Sequence, residues 1–243
     1  MKRFILKIGS TKTIILITLF SVLASYVMSL LVGMFTSVKP SSVMTFIAPL
    51  IIAPLVSAPM VKLLFQINAL ESKMRDLATY DSLTKVLNRR AFLEWAEYAY
   101  QLAKREQQQF AILLVDVDFF KCINDEYGHA TGDQVLALFG QAAQQISRVS
   151  DVVGRIGGEE FAFFLPNTNL AQAEVFSTRL HEAVGKISLD YQGLTIRFSV
   201  SVGVAAFSGK SMSNLDALIQ LADEAMYRAK KLGRNQTAKV EGL

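Results

Sequence analysis

From Thr13 to Val38, and again from Pro40 to Met60, the chain carries no charged side chain. At about 1.5 Å of rise per helical residue, either run can cross a hydrocarbon core of about 30 Å, so both are expected to fold as membrane-spanning helices. They lift mean hydropathy to +0.32 although charged residues make up 19% of the chain. A cleaved secretory signal competes for the first run, since Met1-Lys2-Arg3 supplies a basic start. The run is longer than an ordinary signal core and a second follows almost at once, which favours an anchor. Residues 1–62 are thus expected to form a two-helix transmembrane hairpin with spans of about 13–36 and 42–62.

Lys2, Arg3, Lys7 and Lys12 precede the first span, and Lys62, Lys73 and Arg75 follow the second, with only Lys39 between. The positive-inside rule then puts both termini in the cytoplasm, as in a multi-pass protein of the inner (cytoplasmic) membrane with lipid as its partner. The connection at about Ser37 to Ser42 is too short for a sensory domain. Pro49, Pro54 and Pro59 are expected to bend the second helix, because each lacks the N–H that its hydrogen-bond ladder needs. Over residues 63–79, Leu63, Ile67, Leu70, Met74 and Leu77 recur in alternating steps of four and three. That stripe fits a short parallel coiled coil, and equally a single amphipathic helix lying on its own domain.

Beyond residue 80 the pattern changes to alternating helices and strands. A helix is expected from about Arg89 to Gln108, then a buried strand from Phe110 that ends in the acids of Asp116-Val117-Asp118. The segment Cys122 to His129 reads as a short helix closed by Gly128, which aims the backbone N–H groups near Phe119 to Lys121 at an anion. Another helix is expected from Gly132, and then a hairpin in which Val152, Val153 and Ile156 form one strand and Phe161, Phe163, Phe164 and Leu165 the next. Gly157-Gly158 would make its tight turn by reaching positive φ, with Glu159 and Glu160 at the tip. Carboxylates there suit Mg²⁺, if the strand bearing Asp116 lies alongside. Helices over 170–186 and 214–231, and a strand over 197–207, complete the pattern.

Asp116-Val-Asp-Phe-Phe-Lys121, Asn124-Asp125, Tyr127-Gly128-His129, Gly132-Asp133 and Gly157-Gly158-Glu159-Glu160-Phe161 stand in one order and spacing. Asp81-Ser-Leu-Thr84 and Leu87-Asn-Arg-Arg90 precede them, and Asp223-Glu-Ala-Met-Tyr-Arg-Ala-Lys230 with Gly233-Arg234-Asn235 follows. Together they resemble the GGDEF family of diguanylate cyclases, over residues 80–243. The resemblance implies an α+β fold, a palm-like (ferredoxin-like) antiparallel sheet flanked by helices. It also implies condensation of two GTP into cyclic di-GMP and two pyrophosphates. Asp116, the Val117 carbonyl and Glu159 would hold Mg²⁺, with Mn²⁺ as an alternative. Glu159 would accept the proton of the attacking 3′-hydroxyl or act through the metal alone, Glu160 would be a second acid, and Lys121 would stabilise the transition state. Asn124 and Asp133 would bind guanine beside His129; Phe119, Phe120, Lys121, Lys230 and Arg234 would bind the triphosphate. Arg148 and Asp151 match the family's Arg-x-x-Asp inhibitory site, where cyclic di-GMP acts as inhibitor as well as product. Two GTP-loaded domains must face one another, which favours a homodimer and the coiled-coil reading of residues 63–79.

Each residue has a plainer role as well. Asn124 fits a helix cap and Asp133 the first turn of the next helix; Lys230 and Arg234 fit cations at a helix C-terminus. His129 fits a surface histidine after a turn, and Arg148 with Asp151 a local ion pair of little consequence. A silent nucleotide receptor, a membrane scaffold and a cyclase using ATP are the rival functions. The single cysteine, Cys122, excludes an internal disulfide, and the net charge of +4 owes much to the membrane flanks and does not argue for a nucleic-acid polymer as partner.

Overall fold

The computed structural model describes residues 9–35, 43–207 and 214–240. Lys2, Arg3, Lys7, Lys39 and the expected connection from Ser37 to Ser42 lie outside these residues. By contacts the chain divides into two compact units, Met1–Arg75 and Asp76–Leu243.

In the first unit, α1 spans Ser10–Phe35, and a π-helical turn at Val43–Ile47 leads into α2, Ala48–Thr79. Both helices are long and apolar enough to cross a membrane. Tyr26 of α1 stacks on Phe46 with ring centres 5.7 Å apart, and the hydroxyls of Ser29 and Thr45 lie 3.3 Å apart. Pro54 and Pro59 fall inside α2, whereas Pro49 is its second residue, a position where a missing N–H is tolerated. Leu63, Ile67, Leu70, Met74 and Leu77 are all exposed in the single chain.

The second unit is an α+β layer structure. Its strands are β1 (Leu87–Asn88), β2 (Phe110–Val117), β3 (Val152–Arg155), β4 (Glu160–Pro166), β5 (Leu189–Tyr191), β6 (Leu194–Ile196), β7 (Val200–Phe207) and β8 (Thr237–Lys239). Its helices are α3 (Arg89–Glu106), α4 (Phe120–Tyr127), α5 (His129–Ile146), α6 (Leu170–Gly185) and α7 (Leu215–Lys231). The main sheet has the order β1-β3-β4-β2-β7-β8, and β5 and β6 form a separate hairpin. The sheet is mixed, which corrects the expectation of a wholly antiparallel one. β3, β4, β2 and β7 are antiparallel, but β1 pairs parallel to β3 and β8 parallel to β7. Parallel neighbours need a crossover, and α7 provides it between β7 and β8.

Two cores follow from the alternation of β2, β4 and β7. Leu113, Val115, Phe161, Phe163 and Val202 face α5 and α6, meeting Leu136, Phe139 and Leu180. Ile112, Leu114, Phe164 and Phe207 face α3 and α7, meeting Phe92, Tyr100, Leu218 and Met226. Several local sequence rules fix the helix ends. Asn88, Asn169 and Asn214 cap α3, α6 and α7 by accepting N–H bonds, and Asn169 with Gln172 completes a reciprocal capping box.

Candidate functional site

Every residue of β2 is buried, and its alternation decides where its acid goes. Asp116 continues the series Phe110, Ile112, Leu114, whose face is covered by α3 and α7. There it meets Lys230 of α7, with Nζ 2.7 Å from Oδ2. Asp116 also stands opposite Glu160 in the β2–β4 register, and the Val117 N–H donates to the Glu159 carbonyl at 3.2 Å. Acids distant along the chain thus meet at one end of the sheet. Burial raises the Asp116 carboxyl above its ordinary value of 3.8, the charges of Glu159 and Glu160 add to this, and Lys230 offsets only part. A cluster strained in that direction gains from added positive charge.

No three His, Cys, Asp or Glu side chains converge as a metal cage among the described residues. The expected donors are two carboxylates and a backbone carbonyl, all oxygen, which fits Mg²⁺ completing its shell with water and phosphate oxygens.

The loop from Ile156 to Glu159 differs from the expected glycine turn. Neither Gly157 nor Gly158 has positive φ, and the N–H groups of Ile156 and Gly157 converge instead on the Glu160 carbonyl at 2.9 and 3.3 Å. Gly157 sits close against Glu160, so a Cβ there would displace the Glu160 carboxylate from its present place. Arg155 fastens the loop from outside. Its Nε and Nη2 donate to the Gly158 carbonyl at 3.0 and 2.6 Å, and its Nη1 lies 3.2 Å from Asp81 Oδ1. Asp81 accepts from the Thr84 N–H and hydroxyl as well, at 2.8 and 2.7 Å. Burial pushes the Asp81 carboxyl up, but the Thr84 bonds and the Arg155 charge outweigh it and leave the group below 3.8. Asp81 stands in the motif Asp81-Ser-Leu-Thr84, but no local pattern gives it or Arg155 this role.

Past Asp116 the chain turns at Phe119, whose φ of 55° ends the strand and starts α4. The first N–H groups of that helix have no partner inside it, and the exposed Lys121 sits in the same turn. Asn124 lies within α4, so it is not a cap. Its amide oxygen is buried without a hydrogen-bond partner and faces Gly132, where a Cβ would collide with it. Asp133 is exposed and next to Gly132. Because α5 begins at His129 instead of Gly132, Asp133 falls beyond the helix's first turn, and the first-turn reading of it does not apply. His129 is exposed at the start of α5. Arg234 follows α7 with its guanidinium 4.5 Å from the centre of the Phe119 ring. Lys230 and Arg234 therefore both reach the segment 116–119, and more is involved than two cations at a helix end.

Arg148 and Asp151 lie elsewhere. The Arg148 N–H donates to Asp151 Oδ2 at 2.8 Å, so the bond between them is made by backbone. With Leu165, Thr168, Phe176 and Arg179 they line a cleft of about 130 Å³. Arg179 was missed by sequence reading, since only the packing of α6 beside the β3 entry brings it there; its Nη2 donates to the Ile146 carbonyl at 2.6 Å.

A family model described as diguanylate cyclase, GGDEF domain, matches residues 78–236. Diguanylate cyclase DgcM of Escherichia coli (strain K12) is 40% identical over 167 residues, covering 69% of this chain and 40% of DgcM. The chain thus spans less than half the length of that relative. The solved coiled coil and GGDEF domain of DgcB from Caulobacter crescentus, in complex with c-di-GMP, superposes with a TM-score of 0.67 at 25% identity, covering 76% of this chain and 99% of that one. The active GGEEF domain of a diguanylate cyclase from Vibrio cholerae superposes with a TM-score of 0.60 at 28% identity, covering 64% and 98%. With more than half its residues matched by the family model and the same fold in both solved domains, the chain belongs to the GGDEF family of diguanylate cyclase domains.

Proposed function

We propose that this chain is a membrane-anchored diguanylate cyclase that condenses two GTP into cyclic di-GMP. One observation carries the reading: Asp116 meets the Glu159-Glu160 pair at the sheet end, beside the first turn of α4 and the unpartnered amide oxygen of Asn124. Asn124 and Asp133 bind the guanine edge, with His129 close by. The N–H groups of Phe119, Phe120 and Lys121 take phosphate oxygens, and Lys121, Lys230 and Arg234 neutralise the triphosphate. Asp116, the Val117 carbonyl and Glu159 would hold Mg²⁺ or Mn²⁺, which supplies Lewis-acid polarisation of the α-phosphate when bound. The 3′-oxygen of one nucleotide bonds to the α-phosphorus of the other, the bond to pyrophosphate breaks, and the hydroxyl proton passes to Glu159 or to water. A second such attack closes the ring and releases the second pyrophosphate. Lys121 opposes the charge that grows on the transferring phosphate. Glu160 serves as a second acid beside it.

One domain binds one GTP, so the enzyme works as a homodimer. Residues 63–79 form its coiled coil, which the exposed stripe from Leu63 to Leu77 supports. Residues 1–62 are the anchor, spanning the inner membrane twice with both termini in the cytoplasm. Cyclic di-GMP returns as an inhibitor at the cleft of Arg148 and Asp151, where Arg179 adds a second guanidinium.

Detergent-solubilised protein incubated with GTP and Mg²⁺ should yield cyclic di-GMP and pyrophosphate by mass spectrometry, and Glu159→Ala should yield neither. Product formation unaffected by Glu159→Ala, or none from the wild type, defeats the reading.

A further inference from the structure

Asp118 has no part in the roles above, yet it is among the most enclosed charged residues of the sheet unit, at 3% exposure. A carboxylate taken out of water must find donors, and three reach it. Ser201 Oγ donates to Oδ1 at 2.6 Å, Ser199 Oγ to Oδ2 at 2.7 Å, and the Asn235 N–H to Oδ2 at 2.9 Å. The serines tie Asp118 to the start of β7. The Asn235 bond is of another kind, since it captures a segment 117 residues further along the chain.

That segment is held in a conformation it would not adopt unaided. Arg234 and Asn235 are consecutive non-glycine residues at φ 64° and 45°. Residues kept in that region persist only where surrounding bonds over-determine them. The Arg234 N–H donates to the Ala229 carbonyl at 3.0 Å, the Gln236 side chain to the same carbonyl at 3.0 Å, and Asn235 to Asp118. The last of these is the bond that joins the segment to the end of β2. Its consequence is the place of the Arg234 guanidinium, over the ring of Phe119, the residue next to Asp118. One carboxylate therefore fixes both the turn that presents the N–H groups of α4 and the arginine that faces it.

We infer that Asp118 is a positioning residue for the triphosphate, acting through Arg234 by its bond to the Asn235 N–H. The inference rests on the cyclase reading in taking Arg234 as a phosphate contact. It makes Asp118 selective for phosphate-rich ligands and indifferent to the guanine end, where Asn124 and Asp133 lie.

A double-mutant cycle on the full chain in detergent tests it, read by calorimetric titration with GTP and, separately, with GMP. Asp118→Ala should weaken GTP about tenfold and leave GMP within about twofold. In an Arg234→Ala background the same change should weaken GTP by less than about twofold more, because the effect travels through that arginine. Losses that multiply, or equal losses for GTP and GMP, would overturn the assignment and mark Asp118 as a general support of the fold. Asp118→Asn keeps the proposal testable should the alanine variant not fold. Its amide oxygen can accept from Ser199 and Asn235 while its NH₂ group donates to Ser201, whose hydroxyl can reverse. GTP affinity within about threefold of wild type is expected, and a loss as large as that of Arg234→Ala would overturn the inference. Wild-type protein that binds GTP without making cyclic di-GMP would end the cyclase reading and leave this one standing.

Discussion

The two units put the same kinds of side chain to opposite uses. In the sheet unit Phe110, Leu113, Phe139, Phe161 and Leu180 are shut away from solvent, whereas Leu19, Phe20, Leu23, Leu50 and Leu55 of the helical unit are exposed. The sheet sorts its residues by period-two alternation and covers each face with a pair of helices, so its apolar area is consumed internally. A helix that is apolar on every side has no polar face to turn towards water, and its stability comes from what surrounds it. Stability in the second unit is thus a property of the chain, and in the first a property of chain and environment together.

The sharpest way to break that contrast is to shorten one leucine in each unit. Leu113→Ala, at a fully buried position, should cost about 2–5 kcal/mol in denaturant unfolding of the detergent-solubilised protein. Leu23→Ala, at an exposed one, should move the same transition by less than about 0.5 kcal/mol. Comparable losses would mean that the two units are packed alike. A smaller effect is expected at the polar seam of the sheet unit. Asp81→Ala removes the acceptor shared by Thr84 and Arg155, and should cost about 1–3 kcal/mol by the same measurement. It also frees Arg155, which holds the Gly158 carbonyl, so turnover should fall together with stability. Turnover unchanged at reduced stability would separate the seam from catalysis.

Which parts were readable in the sequence follows from the range of the forces involved. The unbroken apolar run of β2 is a local signal, and the acids at the strand end could be placed from it, whereas the one asparagine expected as a cap, Asn124, lies inside α4. The expected start of α5 at Gly132 lies three residues beyond the observed one at His129, because Gly128 at φ 83° lets one helix follow another with no loop to mark the boundary. The hairpin of β5 and β6 went unread, since strands of three residues carry too little alternation; its turn at Gln192-Gly193, with φ of 52° and 84°, was the available signal. β1 and β8 are shorter than any pattern can mark and owe their places to pairing with β3 and β7. Arg155 and Asp81 are 74 residues apart, and nothing near either one announces the other. At Gly157 the expected positive φ is absent, and the residue is marked instead by its closeness to the Glu160 carboxylate, a contact made three residues away by a side chain whose direction no local pattern announces.

A third prediction concerns the stripe that leads from one unit to the other. Ile67 and Leu70 are exposed, so replacing both with glutamine should leave unfolding of the sheet unit within about 0.5 kcal/mol. If a second chain covers them, the same variant should lose activity in membranes while GTP binding persists, because the pairing of two loaded domains is what suffers. Activity and GTP affinity both at wild-type level would show that the stripe needs no partner.

The smallest expected effect is a pH dependence confined to the sheet unit. His181 on α6 lies with Nε2 3.0 Å from Thr237 Oγ1. Burial lowers its pKa below the usual 6.5, and the attraction of the Asp118 carboxylate offsets only part of this. Between the folded value and 6.5 the unfolded chain binds more protons than the native one, so stability rises with pH across that window. The contribution is complete above about 6.5 and is lost as pH falls towards the folded value, with a slope below about 1.4 kcal/mol per pH unit for one proton. Asp81, whose carboxyl is lowered, has the same sign in a different window: its contribution is complete above about 3.8 and lost only as pH falls through its folded value. Asp116, whose carboxyl is raised, contributes with the opposite sign above 3.8, so the difference between wild-type and His181→Gln denaturant midpoints from about pH 7.5 down to 5 is what isolates the histidine. His181→Gln should flatten the decline in that range while leaving the acid limb below pH 4 in place, and a decline of unchanged steepness would assign it to other groups.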